Sequence, residues 1–160
     1  GDDLPPEEIN LIRKGSDYGW PYCYGNRTPD PKYDRPDRCT DTTPPQVTMQ
    51  AHSAPLGIMF GKGLNFPEPF QKMLFVAFHG SWNRAPLPQK GFKVVFVPFE
   101  ERLPKGDWEV FADSFAGKEV VKSVQDAEFR PMGLAEGPEG TLYVADSRKG
   151  RIWRVVYTGD

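Results

Sequence analysis

"RPMGLAEGPEGTLYVADSRKGRIWRVVY", residues 130–157, holds three short apolar runs separated by two turns. "GPEG" and "SRKG" supply the turns, since proline pre-sets φ and glycine tolerates left-handed backbone. The runs Met132–Glu136, Thr141–Asp146 and Arg151–Tyr157 are too short for stable helices. Their Leu, Val, Tyr and Trp content reads as antiparallel strands.

The same order recurs upstream. "APLGIMF" at 54–60, "LFVAF" at 74–78 and "FKVVFVPF" at 92–99 repeat the sequence of runs in "RPMGLAE", "LYVAD" and "RIWRVVY". "WEVFADSFA" at 108–116 adds a fourth strand to the upstream set. Four-stranded units of about 40–45 residues are the blades of a β-propeller. The expected fold is therefore all-β, with blades at 51–115 and 116–158, a partial blade at 1–25 and a loop at 26–50. A propeller closes with about four to eight blades, so the chain is expected to be a piece of a larger propeller, or to pair with another chain. A β-sandwich of about nine strands is the competing fold.

Composition agrees with a turn-rich β protein: the 160 residues include 16 Gly and 17 Pro, and aromatics reach 13%. The formal net charge of −2 excludes the basic footprint of a nucleic-acid binder. No run of 18 apolar residues suggests a membrane span. The opening "GDDLPPEE" reads as the middle of a longer polypeptide rather than a leader.

The two cysteines bracket "CYGNRTPDPKYDRPDRC", residues 23–39, a loop too polar to build its own core. They are either two free thiols or a disulfide. A bridge across such a loop stabilises by about 3 kcal/mol in the chain-entropy model and implies an oxidising compartment such as a periplasm. Two cysteines and two distant histidines lack the paired spacing of a zinc site.

Between the apolar runs Met73–Phe78 and Phe92–Phe99 lies an unusually rich connection. A plain hairpin needs two to five turn residues. This one carries "HGSWNR", with His79, Ser81, Trp82, Asn83 and Arg84. Loops on a rigid β scaffold are where binding groups concentrate. The cluster is expected at a propeller mouth, shaped for an anionic or hydroxylated ligand.

"EEINLIRKGSDYGWPYCYG", "HSAPLGIMF", "FVAFHGSWNR", "GFKVVFVPF" and "RPMGLAEGPEGTLYVADSRKGRIWRVVY" together resemble the glucose/sorbosone dehydrogenase family, nearest its L-sorbosone dehydrogenase-like branch. The resemblance runs over about residues 1–158 and corresponds to the C-terminal portion of a six-bladed propeller. It implies pyrroloquinoline quinone (PQQ) and calcium as cofactors and oxidation of a sugar or sugar aldehyde by hydride transfer to the quinone. The family's histidine base would lie upstream of Gly1, and only the edge of its calcium site, near Gly1–Asp3, would fall in this chain. His52 stands where the family lines the quinone. His79 and Arg84 stand where its glucose enzymes place a cofactor-binding lysine and arginine. Arg130 matches an arginine that meets the quinone carboxylates, whereas a second arginine expected two residues earlier is replaced by Glu128.

The chemistry asks for these residue types. PQQ is a flat tricarboxylate, so it needs cations, best supplied by arginine's paired donors, and planar faces such as Trp82. Each residue also has an ordinary alternative. His52 can cap a turn, Trp82 can pack on a blade edge, Arg84 can pair with a surface carboxylate, and Arg130 can bond loop carbonyls. "DDLPPEE" can be a solvated acidic loop.

The expected function is part of a PQQ-dependent sugar dehydrogenase, incomplete and inactive alone, in a periplasmic or secreted setting. Its expected partners are a sugar and either an N-terminal partner chain or further copies of itself. The alternative is a non-catalytic propeller module that binds carbohydrate or protein, since fold does not fix function.

Overall fold

The computed structural model describes residues 2–159. The chain divides into two compact units, Asp3–Ala51 and His52–Asp160, with Asp2 grouped with the second.

The first unit is built from short pieces, as its proline and aspartate content dictates. Strand β1 (Glu7–Ile9) pairs antiparallel with β4 (Val47–Met49), Ile9 opposite Val47. Between them β2 (Cys23–Tyr24) and β3 (Thr28–Pro29) form a two-residue ladder, followed by a 3-10 turn at Pro36–Cys39. Cys23 and Cys39 are bridged, with Cα atoms 5.7 Å apart, and no cysteine is free. The loop thus contains the disulfide, with both cysteines only 4% exposed. Polar contacts add to it: Gly25 N–H donates to Glu8 Oε1 at 2.6 Å, and Arg27 Nε donates to the Thr42 carbonyl at 2.8 Å.

The second unit carries the two blades. In the first, β5 (Pro55–Phe60), β6 (Met73–Phe78) and β7 (Lys93–Glu100) run antiparallel in order. A small hairpin strand, β8 (Leu103–Pro104), pairs with the end of β7, and β9 (Glu109–Ala112) completes the blade against its middle. The second blade is β10 (Pro131–Glu136), β11 (Leu142–Asp146) and β12 (Ile152–Val155), also antiparallel. The element α1 (Glu68–Gln71) turns "FPEPF" into a single helical turn, because prolines fit the first helical positions. A second 3-10 turn, Val124–Asp126, is closed by a capping box between Ser123 and Asp126.

The repeat seen in sequence is repeated bond for bond. In β5 a register shift falls between Pro55 and Gly57, with Gly57 opposite Ala77; in β10 it falls between Pro131 and Gly133, with Gly133 opposite Ala145. Each blade therefore begins Pro-x-Gly at a bulge, which twists the inner strand away from its partner. The glycine has a packing reason in the first blade: a Cβ on Gly57 would overlap the Met132 carbonyl of the second.

The core lies between the two sheets. Phe75, Val94 and Phe96 of the first meet Leu142 and Val144 of the second, with Leu64 and Phe66 closing one end. Aromatic edges interlock there, Phe75 against Phe111 at 5.0 Å and Phe115 against Trp153 at 4.9 Å between ring centroids. Strand β6 is buried on both faces, which explains why "LFVAF" is continuously apolar rather than alternating. With 32% strand and 7% helix, the chain is the expected all-β protein of propeller-type blades. The expected partition at 115/116 falls in the connection between β9 and β10. No helix among the described residues is long and apolar enough to cross a membrane.

Candidate functional site

The two blades present equivalent corners, each made by the residue before the inner strand and the residue after the second strand. In the first, His79 N–H donates to the Ala54 carbonyl at 3.0 Å; in the second, Ser147 N–H donates to the Arg130 carbonyl at 3.2 Å. His79 and Ser147 hold matching positions, and they meet: His79 Nε2 lies 2.7 Å from Ser147 Oγ.

Arg130 joins the corners. Its Nε donates to the His79 carbonyl at 3.1 Å and its Nη2 to the Gly80 carbonyl at 2.6 Å. Its backbone N–H donates to Asp146 Oδ1 at 2.6 Å. The Nη1 amino group of Arg130 makes no hydrogen bond among the described residues. Gly80 makes the approach possible, with φ of +101° and no Cβ to strike the Phe92 ring. Its N–H donates to the Ser53 carbonyl at 2.8 Å. The segment 52–54, the turn 79–80, Arg130 and Asp146–Ser147 thus converge in one place.

Charge at this place is positive. Burial first, and then the neighbouring Arg148, hold the Arg130 guanidinium below its ordinary pKa. Burial first, and then Arg130, push the His79 imidazole below its ordinary value, against the opposing pull of Asp146. His79 is thus favoured in its neutral form near pH 7. Burial alone would raise the Asp146 carboxyl, but the backbone N–H groups of Arg130, Lys149, Arg148 and Arg151 outweigh it and hold it low. Asp146 is therefore already committed to main-chain donors. Glu128, where the resemblance expects arginine, sits 3.1 Å from Lys149 Nζ in an exposed ion pair. The cluster of two guanidinium groups and an imidazole suits an anion, and a carboxylate above all.

The predicted residues divide by environment. His79 and Arg130 are half-buried and touch through the turn. His52 is also half-buried, with φ of +58°, on the segment that bonds the turn. Trp82 is 72% exposed, so its ring is available as a planar face. Arg84 is only 2% exposed. Its Nε donates to the Pro88 carbonyl at 3.0 Å, and Nη1 donates to the Asp2 carbonyl. Neither contact is the surface ion pair that was its ordinary alternative. Ser81 Oγ donates to Gln89 Oε1 at 2.9 Å and accepts the Lys90 N–H at 2.8 Å, and Arg84 N–H reaches the same Gln89 oxygen at 3.3 Å. Much of the "HGSWNR" polarity therefore knits the loop to itself.

Ser147, Asp146 and Arg148 were not singled out from sequence. "ADSRKG" looks like any turn, but aligning the two repeats would have placed Ser147 on His79. Arg148 donates to the carbonyls of Val124 at 2.6 Å and Gln125 at 2.8 Å, so it also anchors the 3-10 turn. For calcium, a hard ion that takes six to eight oxygens, no group of three or more His, Cys, Asp or Glu side chains among the described residues could hold a metal.

Comparison with known proteins agrees with this architecture. The TrAA12-like family matches residues 3–158. An uncharacterized protein of Borreliella burgdorferi is 31% identical over 98% of this chain and 40% of its own length. A pyrroloquinoline quinone-dependent pyranose dehydrogenase of Coprinopsis cinerea is 32% identical over 68% of this chain and 16% of its own. Among solved structures, the calcium structure of a Trichoderma reesei protein of carbohydrate-active enzymes family AA12 superposes with a TM-score of 0.71 at 23% identity, covering 94% of this chain and 42% of that one. A glucose dehydrogenase superposes with a TM-score of 0.63 at 20% identity, over 96% of this chain and 38% of that one. At such identities the superpositions speak for the fold. The chain spans at most about two fifths of the length of the curated relatives it matches. The match over residues 3–158 makes this chain a member of the TrAA12-like family.

Proposed function

We propose that this chain forms one wall of the cofactor site in a PQQ-dependent sugar dehydrogenase that oxidises a sugar or sugar aldehyde of the glucose or sorbosone kind. The observation that carries the proposal is the convergence of His79 and Arg130 at the blade corners, where Arg130 holds the His79 and Gly80 carbonyls and the Asp146 carboxylate is already bonded to the Arg130 and Lys149 main-chain N–H groups. That arrangement leaves net positive potential for a carboxylate.

In this proposal Arg130 meets a carboxylate of the quinone through Nη1, while Nε and Nη2 hold the turn. His79, kept neutral by burial and by Arg130, donates or accepts one hydrogen bond in an orientation set by Ser147. Trp82, exposed beside the turn, would offer a planar face to the quinone, and His52 would line the same wall. Arg84 belongs to the site through the loop it holds in place, since its guanidinium is enclosed. When bound, PQQ would supply the oxidising power for the sugar carbon, and Arg130, His79, His52 and Trp82 would hold and orient it. The family's histidine base, and the ligands of the calcium that the resemblance implies beyond the edge near Gly1–Asp3, are assigned to polypeptide outside residues 1–160. The disulfide supports a periplasmic or secreted setting.

The test is a titration of the chain with PQQ, followed by calorimetry and by tryptophan fluorescence. The proposal expects saturable binding of one quinone per chain, weakened about tenfold or more, some 1.4 kcal/mol, in Arg130→Gln. Absence of saturable binding by folded protein, or binding indifferent to both Arg130→Gln and His79→Gln, would overturn it.

A further inference from the structure

The strands that carry the blade corners also bring two loops together at their opposite ends. β10 runs from Pro131 to Glu136 and β11 returns from Leu142 to Asp146. The turn at 137–141 therefore lies one strand length, about 17–20 Å, from the end that holds Arg130 and Ser147. The matching loop of the first blade, residues 61–66, leaves β5 at Phe60. Asn65 N–H in that loop donates to the Gly140 carbonyl in the turn at 2.7 Å. A Cβ on Gly140 would stand 2.6 Å from the Asn65 nitrogen, so only a glycine lets the two come this close.

Their approach shapes a recess of about 260 Å³ lined by Asn65, Glu139, Thr141, Arg154 and Tyr157. None of these residues belongs to the blade corners. The lining is polar and carries no net charge, because the Arg154 guanidinium is ion-paired with the Glu139 carboxylate. The pair still offers donors and acceptors at its rim, since both side chains are more than half exposed. Asn65 adds an exposed amide, and Tyr157 an exposed ring. Thr141 carries the decisive observation. It is only 6% exposed, and its Oγ1 has no hydrogen-bond partner. Gly137 leaves room beside that oxygen, since a Cβ there would lie 2.8 Å from it. A buried hydroxyl without a partner is costly and rare in folded proteins, so it points to a polar guest.

We propose that this recess is a binding site for a neutral polyhydroxylated ring, a single monosaccharide unit, separate from the quinone wall. Neighbouring sugar hydroxyls each donate and accept, which matches the forked donors of Arg154, the paired acceptors of Glu139 and the two-sided amide of Asn65. The C–H face of a pyranose suits the Tyr157 ring, in the manner of sites that combine an aromatic wall with a few placed polar groups. A charged guest would have to part the Glu139–Arg154 pair, whereas a neutral one leaves it whole. The recess is smaller than the about 300–1,000 Å³ of sites for drug-sized ligands, so it admits one ring rather than a chain of them. The inference stands on this recess alone and is independent of quinone binding.

The experiment is NMR of the isotope-labelled chain without quinone, titrated separately with D-glucose, D-galactose and D-xylose to about 50 mM, with thermal unfolding at the same concentrations. At least one sugar is expected to saturate with a dissociation constant on the order of 1 mM. The signals that move should be the Asn65 side-chain amide, Gly140, Thr141 and the Arg154 Nε–H, while His79 and Arg130 stay in place. Asn65→Ala and Glu139→Gln, both at exposed positions, are expected to weaken binding about tenfold with little change in the unfolding midpoint. Thr141→Val keeps the shape and removes the unpartnered oxygen. The free variant should unfold at the same temperature or higher, and the rise in midpoint that sugar gives the parent chain should disappear. Failure of all three sugars to saturate, shifts confined to the His79–Arg130 corner, or binding unchanged in all three variants would overturn the proposal. A lower midpoint in free Thr141→Val would overturn it as well, by showing that a resident water already satisfies the hydroxyl.

Discussion

Removing the Cys23–Cys39 bridge, as in the double variant Cys23→Ala with Cys39→Ala, should destabilise one unit of the chain and spare the other. The bridge closes a loop with a sequence separation of 16. The chain-entropy relation gives about 3 kcal/mol for a loop of that length. The rest of the Asp3–Ala51 unit is held by short ladders and scattered side-chain bonds. It has a two-residue ladder between β2 and β3, a three-residue ladder between β1 and β4, and isolated bonds such as Arg27 to the Thr42 carbonyl. For a small unit each kcal/mol moves the midpoint by roughly 4–8 °C, so the drop should be about 12–24 °C. Hydrogen exchange with thermal unfolding reads both units at once. Amides at residues 22–42 should lose protection, whereas Leu74–Phe78, buried on both faces in the other unit, should keep theirs. A loss below about 1 kcal/mol, or equal loss of protection in both places, would refute the view of the bridge as a staple local to its own unit.

Three further outcomes follow from the site and the core. Arg130→Met should destabilise the second unit by about 2–4 kcal/mol in urea, because the carbonyls of His79 and Gly80 lose charged donors. Because burial and Arg130 lower the folded pKa of His79, the unfolded chain takes up this proton at higher pH. Its stability contribution is full above the unfolded value of about 6.5 and falls as acid titrates toward the lower folded value. The slope of unfolding free energy between pH 5 and 7 should therefore lessen in His79→Gln. Gly57→Ala should cost about 1–3 kcal/mol by calorimetry, because the added methyl meets the Met132 carbonyl and the sheets must part.

The long apolar runs were legible because burial on both faces leaves an uninterrupted signal. β6 and β7 were located to within a residue or two, and β11 likewise. The last strand was expected through Tyr157 but ends at Val155, since Val156 and Tyr157 have no neighbouring strand to pair with. Strand β2 falls in "GWPYCYG", which reads as an extended aromatic segment, whereas β3 was hidden in the 26–50 loop, because two residues carry no period. At the site, His79 stood out as a residue odd for a plain turn and Arg130 through the family resemblance, and their contact joins the two blade corners. Ser147 escaped notice because a serine in "DSRKG" has an ordinary explanation, and only the packing of one blade on the other brings it to the His79 ring. Arg84 looked like a surface cation, and its burial depends on loop contacts with Pro88 and Asp2 that local sequence does not encode.

The central claim is that a quinone carboxylate binds where the two blade corners meet. Backbone and side-chain NMR of the labelled chain, titrated with PQQ, addresses it most directly. The account predicts that shifts concentrate at His79, Gly80, Trp82, Arg130 and Ser147, and that the His79 ring titration moves upward as the bound carboxylate offsets Arg130. Saturable binding whose shifts fall instead in the Asp3–Ala51 unit, with His79 and Arg130 unmoved, would contradict it.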